Sequence, residues 1–232
     1  MATCTSPIAT RPPGASAAAI HARGNRFLRG GGRPGLSRTP QVSTQSRMDR
    51  VPDRVRWAVE LLDPGAPERI LEVGCGPGVA AALVCPRLST GRMLATDRSA
   101  LAVDRTSRRN TEHVAAGRLE VRRSALDALT APPASFDQAF AINVNLFWVR
   151  DATAELQVLR RVLRPGGLLH VLYGAGGPTS AEQITTPIAA VLRAHGFTGV
   201  RTVGSDAGIG VVAAAPERAA AAAAGSTRRR PG

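Results

Sequence analysis

Apolar residues in the middle of the chain fall into two interleaved patterns: short unbroken runs, and stretches that repeat every three or four positions. The first suits strands buried on both faces, and the second suits helices with one apolar stripe. Val51, Val55, Val59 and Leu62 recur at helical spacing in MDRVPDRVRWAVELL, which opens at Met48. Arg69 to Val73 then reads as a short strand ended by glycine, Val79 to Leu88 as a helix, and Arg92 to Thr96 as a second strand ended by Asp97. Ala100 to Ala116 follows as a single helix with a polar face. Leu119 to Arg122, Phe136 to Ile142 and Gly167 to Tyr173 read as the third, fourth and fifth strands, with a helix over Ala152 to Leu163. Pro165-Gly166-Gly167 is expected to be the turn leaving that helix, since Pro bars continuation and Gly accepts the exit conformation. Ala181 to His195 predicts another helix. Val200 to Val203 and Ile209 to Ala213 predict an antiparallel hairpin turned at Gly204 to Gly208. The alternation as a whole predicts an α/β fold, a sheet with helices on both faces.

The ends differ in composition from this core. Residues 1 to 47 are rich in Arg, Pro, Gly, Ala, Ser and Thr, without periodic apolar positions. Such a segment buries too little surface to offset its ordering entropy, so a disordered arm is expected; sequence upstream of a start at Met48 is favoured over a nucleic-acid-binding arm and an organellar transit peptide. Residues 48 to 215 are the expected domain, and residues 216 to 232, with six consecutive alanines and Arg228-Arg229-Arg230, a disordered tail. Residues 1 to 47 carry seven Arg and no acid, residues 48 to 215 nineteen Arg against sixteen acids, and residues 216 to 232 four Arg and one Glu, so the net charge of +13 resides chiefly in the ends. A basic surface for nucleic acid is therefore not predicted for the core. Cys4, Cys75 and Cys85 have neither metal nor disulfide spacing. No metal site is expected, and an odd cysteine count fits a reducing cytoplasm. No apolar run approaches the length of a membrane-spanning helix.

The candidate chemistry begins where the first strand breaks into Gly74-Cys75-Gly76-Pro77-Gly78 ahead of a helix. Glycines there let a ligand approach the backbone where side chains would block it. Asp97 ends the next strand, where a carboxylate can accept hydrogen bonds from both hydroxyls of a ribose. The dinucleotide pattern G-x-G-x-x-G would place its third glycine at position 79, occupied here by Val79; the glycine falls at Gly78 instead. Glu72, two residues before the loop, would repel a pyrophosphate but suits a cationic amino group. Together these residues favour S-adenosylmethionine over a nicotinamide cofactor.

The sequence EVGCGPG, with Asp97 ending the second strand and LRPGG before the fifth, resembles the class I S-adenosylmethionine-dependent methyltransferase family over about residues 50 to 215. The resemblance implies a Rossmann-like three-layer sandwich whose seven-stranded, mostly parallel sheet has the order 3-2-1-4-5-7-6 with strand 7 antiparallel. It implies that Glu72, Gly74 and Gly76 hold the methionine end, with Cys75 and Gly78 in the same loop, that Asp97 holds the ribose, and that Arg98 lies against the adenine. Arg123, Ser124, Ala125 and Leu126 occupy the place of a Gly-Asp-Ala segment. Ser124 thus stands where many members have the acid that caps the adenine amine. Asn143 falls in the loop that lines the cofactor and substrate cleft.

Methyl transfer by in-line displacement needs little beyond alignment and, for a protonated acceptor, removal of a proton. Candidate catalytic residues are Asn143, Asn145 and Tyr173. Ala141 to Arg150 (AINVNLFWVR), with Phe147 and Trp148 in a chain only 3% aromatic, is the candidate acceptor segment. It lacks the prolines and Tyr of motifs that act on nucleic-acid amino groups. His170, inside the fifth strand, is expected in the core, and His113 and His195 in solvent. The helix near Val51 to Leu62 is expected to cover the cleft. The expected activity is methylation of a small-molecule acceptor by a cytoplasmic monomer or homodimer. An RNA-modifying methyltransferase using the Arg-rich ends, and a cofactor-binding protein without catalysis, are the alternatives.

Overall fold

The structure, a computed structural model, describes residues 51–217. The expectations for residues 1 to 47, and for the tail beyond Glu217, lie outside the described residues.

Strand β1 (Arg69–Val73) is buried at every position but the first, as a strand must be when helices cover both faces of its sheet. It pairs in parallel with β2 (Arg92–Asp97) on one side and β4 (Phe136–Ile142) on the other. β3 (Leu119–Arg123) extends the sheet beyond β2, and β5 (Leu163–Gly174) extends it beyond β4, both in parallel. β7 (Gly208–Ala214) runs antiparallel to β5 and to β6 (Thr198–Gly204), closing the expected terminal hairpin. The order is β3-β2-β1-β4-β5-β7-β6, as the resemblance implied. Because the chain leaves β1 toward β2 and returns at β4 on the other side, the loops after β1 and β4 diverge. A crevice opens between them at the carboxyl ends of the strands.

Alternate residues of each strand feed two apolar layers. On one face Ile70, Met93, Ala95 and Phe140 pack against α1 (Asp53–Leu62) through Val55, Val59 and Leu62, and against α2 (Val79–Val84) through Ala80, Ala81 and Val84. On the other, Leu71, Leu94, Ala139, Leu169 and Val211 meet α6 (Thr153–Val162) through Leu156 and Leu159 and α7 (Ala181–Ala194) through Ile184, Ile188 and Leu192. Truncating one of these fully buried leucines would cost about 2–5 kcal/mol. α1 ends because Asp63 takes a left-handed conformation (φ 39°) ahead of Pro64. α7 begins in a reciprocal cap between Ser180 and Gln183.

Two sequence expectations need correction. The helix expected over Ala100 to Ala116 is two, α3 (Ala100–Arg109) and α4 (Thr111–Ala115), because the Asn110 side-chain amide donates back to the Thr106 carbonyl and opens the helix there. The expected Pro165-Gly166-Gly167 turn lies inside β5. Leu163 is already extended, and the pairing register with β4 slips between Phe136 and Gln138. Pro165 has no N–H for the ladder and Gly166 adopts φ 71°, so the extra residues bulge from the strand. A fifth short helix, α5 (Leu146–Val149), follows β4 without a sequence expectation.

Candidate functional site

The loop after β1 is fixed by its neighbours. The N–H groups of Gly74 and Cys75 both donate to the Thr96 carbonyl of β2, at 2.8 and 2.9 Å. Asp97 receives the Gly76 N–H on Oδ2 (3.1 Å) and the Ser99 N–H on Oδ1 (2.9 Å), tying the loop to the end of β2. From behind, the Thr106 hydroxyl donates to the Gly76 carbonyl and the Asn110 amide to the Gly78 carbonyl, each at 3.0 Å. Both side chains are buried. Sequence reasoning missed this pair, although two polar residues four apart within a helix facing the loop were its signal.

The three loop glycines differ in purpose. All have positive φ: 75° at Gly74, 53° at Gly76 and 74° at Gly78. A Cβ on Gly78 would stand 2.7 Å from the Thr106 Cα, and one on Gly74 2.6 Å from the Val144 side chain. At Gly76 a Cβ would meet nothing within 4 Å. Gly78 is thus a packing position that does not line the cavity, a correction to its expected place among the binding residues. Gly76 borders open space.

That space is a cavity of about 910 Å³, near the upper end for small-molecule sites. Glu72, Gly74, Cys75 and Gly76 line its β1 side, and Asp97 and Arg98 its β2 side. Ser124, Ala125 and Leu126 line the side following β3, and Asn143 and Asn145 the side following β4. Glu72 is 3% exposed, and its Oε2 has no hydrogen-bond partner. Burial, reinforced by the nearby Asp97, pushes its carboxyl pKa up to about 8. The Cys75 thiol is pushed up to about 11, chiefly by burial, and its sulfur lies 3.3 Å from the Thr106 hydroxyl, so it is a wall rather than a nucleophile. Ser124 turns its hydroxyl onto the Ala125 carbonyl (2.8 Å).

The opposite wall is built differently. Asn143 is left-handed (φ 57°), and its Oδ1 accepts the Gly174 N–H at 3.0 Å. Asn145 precedes α5 without a side-chain cap. Phe147 points into the core and is 2% exposed, which removes it from the expected acceptor segment, while Trp148 is half-buried. A second cavity of about 520 Å³ adjoins the first through Arg54, Asn143 and Asn145, and is lined further by Trp148, Tyr173 and residues 174–179. Tyr173 is absent from the larger cavity. Its hydroxyl donates to the Val144 carbonyl, and burial raises its pKa further above the ordinary phenol value. It is held as a strut rather than poised as a base. The expected cover is met by the start of α1, where Pro52, Arg54 and Val55 line the larger cavity. The stem of Arg54 crosses Gly174, where a Cβ would meet its Cδ at 2.9 Å.

Among the charged lining residues, the sequence reading gave no individual role to Arg54, Asp127, Arg150 or Glu155. His170 is buried as expected, its Nε2 against the Gln138 Oε1 at 2.9 Å. The expectation of solvated His113 and His195 is corrected: the first contacts Arg118, and the second bridges the Val191 carbonyl and the Thr153 hydroxyl. Among the described residues no cluster of three or more His, Cys, Asp or Glu could hold a metal ion, and no helix is long and apolar enough to cross a membrane.

Known proteins resemble parts of the chain. It is 31% identical over 137 residues to the trans-aconitate 2-methyltransferase of Azoarcus sp. (strain BH72), covering 57% of this chain and 50% of that one. It is 32% identical over 106 residues to the trans-aconitate 2-methyltransferase of Streptomyces avermitilis, covering 46% and 39%. The chain spans half or less of the length of the curated relatives it matches. A crystal structure of a SAM-dependent methyltransferase from Aquifex aeolicus shares the fold with a TM-score of 0.60 at 19% identity, over 69% of this chain and 89% of that one. Residues 70–167, from β1 into the bulge of β5, match the family model of the methyltransferase domain. With the sheet order and the loop after β1, these findings bear out the chain's resemblance to the class I S-adenosylmethionine-dependent methyltransferase family.

Proposed function

We propose that the protein transfers a methyl group from S-adenosylmethionine to a small-molecule acceptor. The observation that carries this reading is the pairing of Glu72 with the open face of Gly76 in one cavity. A residue with a buried, unpartnered carboxyl oxygen lines the same cavity as a glycine whose backbone borders open space. An α-ammonium group fits the first, and a ligand lying on the backbone fits the second. Gly74, Cys75 and Gly76 would hold the methionine portion with Glu72, and Asp97 the ribose. Arg98, Ser124, Ala125, Leu126 and Asn143 would line the rest of the cofactor. The bound cofactor supplies an electrophilic methyl on a sulfonium. The chain's own task is to orient it and to exclude water, a role open to the start of α1, which lines the cavity.

The acceptor belongs in the second cavity, which opens onto the first at Asn143 and Asn145. No residue lining that cavity is poised as a strong base, since Tyr173 is committed to Val144. Arg54 stands at the seam of the two cavities with no acidic partner among the described residues. A small acid suits such a place, and the relatives named for trans-aconitate lend that class support.

Calorimetric titration of the full chain with S-adenosylhomocysteine and with NAD tests the cofactor. Binding of the first, lost in Asp97→Ala, is expected, and binding of NAD alone overturns the reading. Formation of S-adenosylhomocysteine during incubation with a panel of small carboxylic acids, alcohols and amines then assigns the acceptor. No turnover with any of them, but turnover with RNA, would favour the nucleic-acid alternative.

A further inference from the structure

Glu155 has no part in the reading so far, yet it is the most unusual side chain in the larger cavity. It sits in the first turn of α6 with its side chain only 3% exposed. One carboxyl oxygen is paired with Arg150, whose own side chain is half in solvent, and the other, Oε2, has no partner. A buried acceptor left unpaired carries its full desolvation cost, so a donor is missing from this spot.

Its position within the cavity narrows the donor. α6 packs against the loop that follows β3: Arg161 of α6 donates to the carbonyls of Leu129 and Ala131, and Leu126, Leu129 and Leu156 share one apolar cluster. Glu155, one residue before Leu156, lines the same cavity as Ser124, Ala125 and Leu126. It does not line the second cavity, where the acceptor is placed. S-adenosylmethionine offers three kinds of donor: its ammonium, its ribose hydroxyls and the exocyclic amine of adenine. Glu72 and Asp97 suit the first two. Of the other carboxyls in the wall, Asp127 is exposed to water and Glu155 is not. Ser124 has spent its hydroxyl proton on Ala125 and presents no carboxyl.

Resting on the cofactor reading above, we propose that Glu155, reaching across from α6, accepts the adenine amine and so reads the base of the cofactor. The role passes from the loop after β3 to the helix that covers it. Arg150 holds the first carboxyl oxygen and leaves the second for the amine.

The test compares binding of S-adenosylhomocysteine with that of its analogue bearing hydrogen in place of the adenine amine, measured by calorimetry on the full chain. The unmodified protein is expected to prefer the amine by on the order of tenfold or more. Glu155→Leu should bring S-adenosylhomocysteine down to the analogue and leave the analogue itself unchanged. Glu155→Gln, which keeps a carbonyl acceptor, should retain most of the preference. Adding Ser124→Asp to Glu155→Leu should restore it. Equal binding of the two ligands by the unmodified protein overturns the proposal without need of any variant. A parallel loss of both ligands in Glu155→Leu also overturns it, as does unchanged preference with a changed KM for the methyl acceptor. Failure of the unmodified protein to bind either ligand would instead overturn the cofactor reading.

Discussion

The two walls of the cavity hold their shapes by different means. On the β1 side every turn of the loop is tied to something rigid: Gly74 and Cys75 to Thr96, Gly76 to Asp97, and the Gly76 and Gly78 carbonyls to Thr106 and Asn110. On the β4 side a four-residue helix hangs from Phe147 in the core, steadied by Asn143 on Gly174 and by Tyr173 on Val144. The first wall is preorganised by backbone hydrogen bonds, so its shape is settled before a ligand arrives. The second depends on a few side chains, and exchanging them changes the cavity without disturbing the sheet. A constant ligand suits the first wall and a variable one the second.

The contrast is tested most severely within the loop itself. Gly78→Ala adds left-handed strain of about 1–2 kcal/mol and drives a methyl into the backbone of Thr106, an overpacking worth about 1–3 kcal/mol more. Urea unfolding should show a loss of about 3 kcal/mol. Gly76→Ala carries the strain without the clash, so it should keep most of the stability while weakening S-adenosylhomocysteine binding at least tenfold. Equal effects of the two substitutions on both measurements would erase the distinction between the packing glycine and the cavity glycine.

Glu72 supplies the next largest effect, through pH. With its carboxyl at about 8 in the folded chain against 4.5 for an ordinary one, the folded state keeps a proton that the unfolded state releases between those values. Stability from this group is therefore full below about 4.5 and is lost as pH rises through about 8. Glu72→Gln should remove that decline from a series of thermal melts. Binding of an ammonium requires the ionised form, so affinity for S-adenosylhomocysteine should rise by up to about a hundredfold from pH 6 to 8. Proton release, read by calorimetry in buffers of different ionisation enthalpy, should accompany it. A flat pH profile would separate Glu72 from the amino end of the ligand.

How much of this was legible in the sequence follows from the same division. Buried parallel strands write themselves as apolar runs, so Arg69–Val73 and Phe136–Ile142 were read at their observed limits. The glycine loop and Asp97 were legible because a ligand-hugging backbone demands glycine, and the end of a strand fixes where a carboxylate falls. The roles of Gly76 and Gly78 could not be told apart, since only the position of Thr106 separates them. The bulge in β5 looked like a turn because proline and glycine punctuate both. Glu155 was hidden by its place in an amphipathic helix, where a glutamate is ordinarily solvated. Only the packing of α6 near residues 126–131 sets it apart chemically, and that is a tertiary fact.

Arg54 tests the second wall at smaller amplitude. It lines both cavities, so Arg54→Ala should raise KM for an acidic acceptor about tenfold, the worth of one charge-assisted hydrogen bond. Binding of S-adenosylhomocysteine should change less than threefold. Steady-state kinetics with the acceptor found in the panel, beside calorimetry, separates the two. Loss of cofactor affinity instead would move Arg54 to the first wall.

Tyr173 offers the smallest and most discriminating effect. A phenol whose pKa is raised by burial, and whose proton is given to the Val144 carbonyl, is a poor proton acceptor at neutral pH. Its hydroxyl matters because it holds the loop after β4 against β5, and one such bond contributes about 1 kcal/mol. Tyr173→Phe should therefore lower stability by about that amount in urea unfolding and leave kcat within a few-fold, with an unaltered pH–rate profile. A drop in kcat of a hundredfold or more, together with loss of a basic limb in that profile, would make Tyr173 a proton acceptor after all. The β4 wall would then be catalytic rather than a changeable frame for the acceptor.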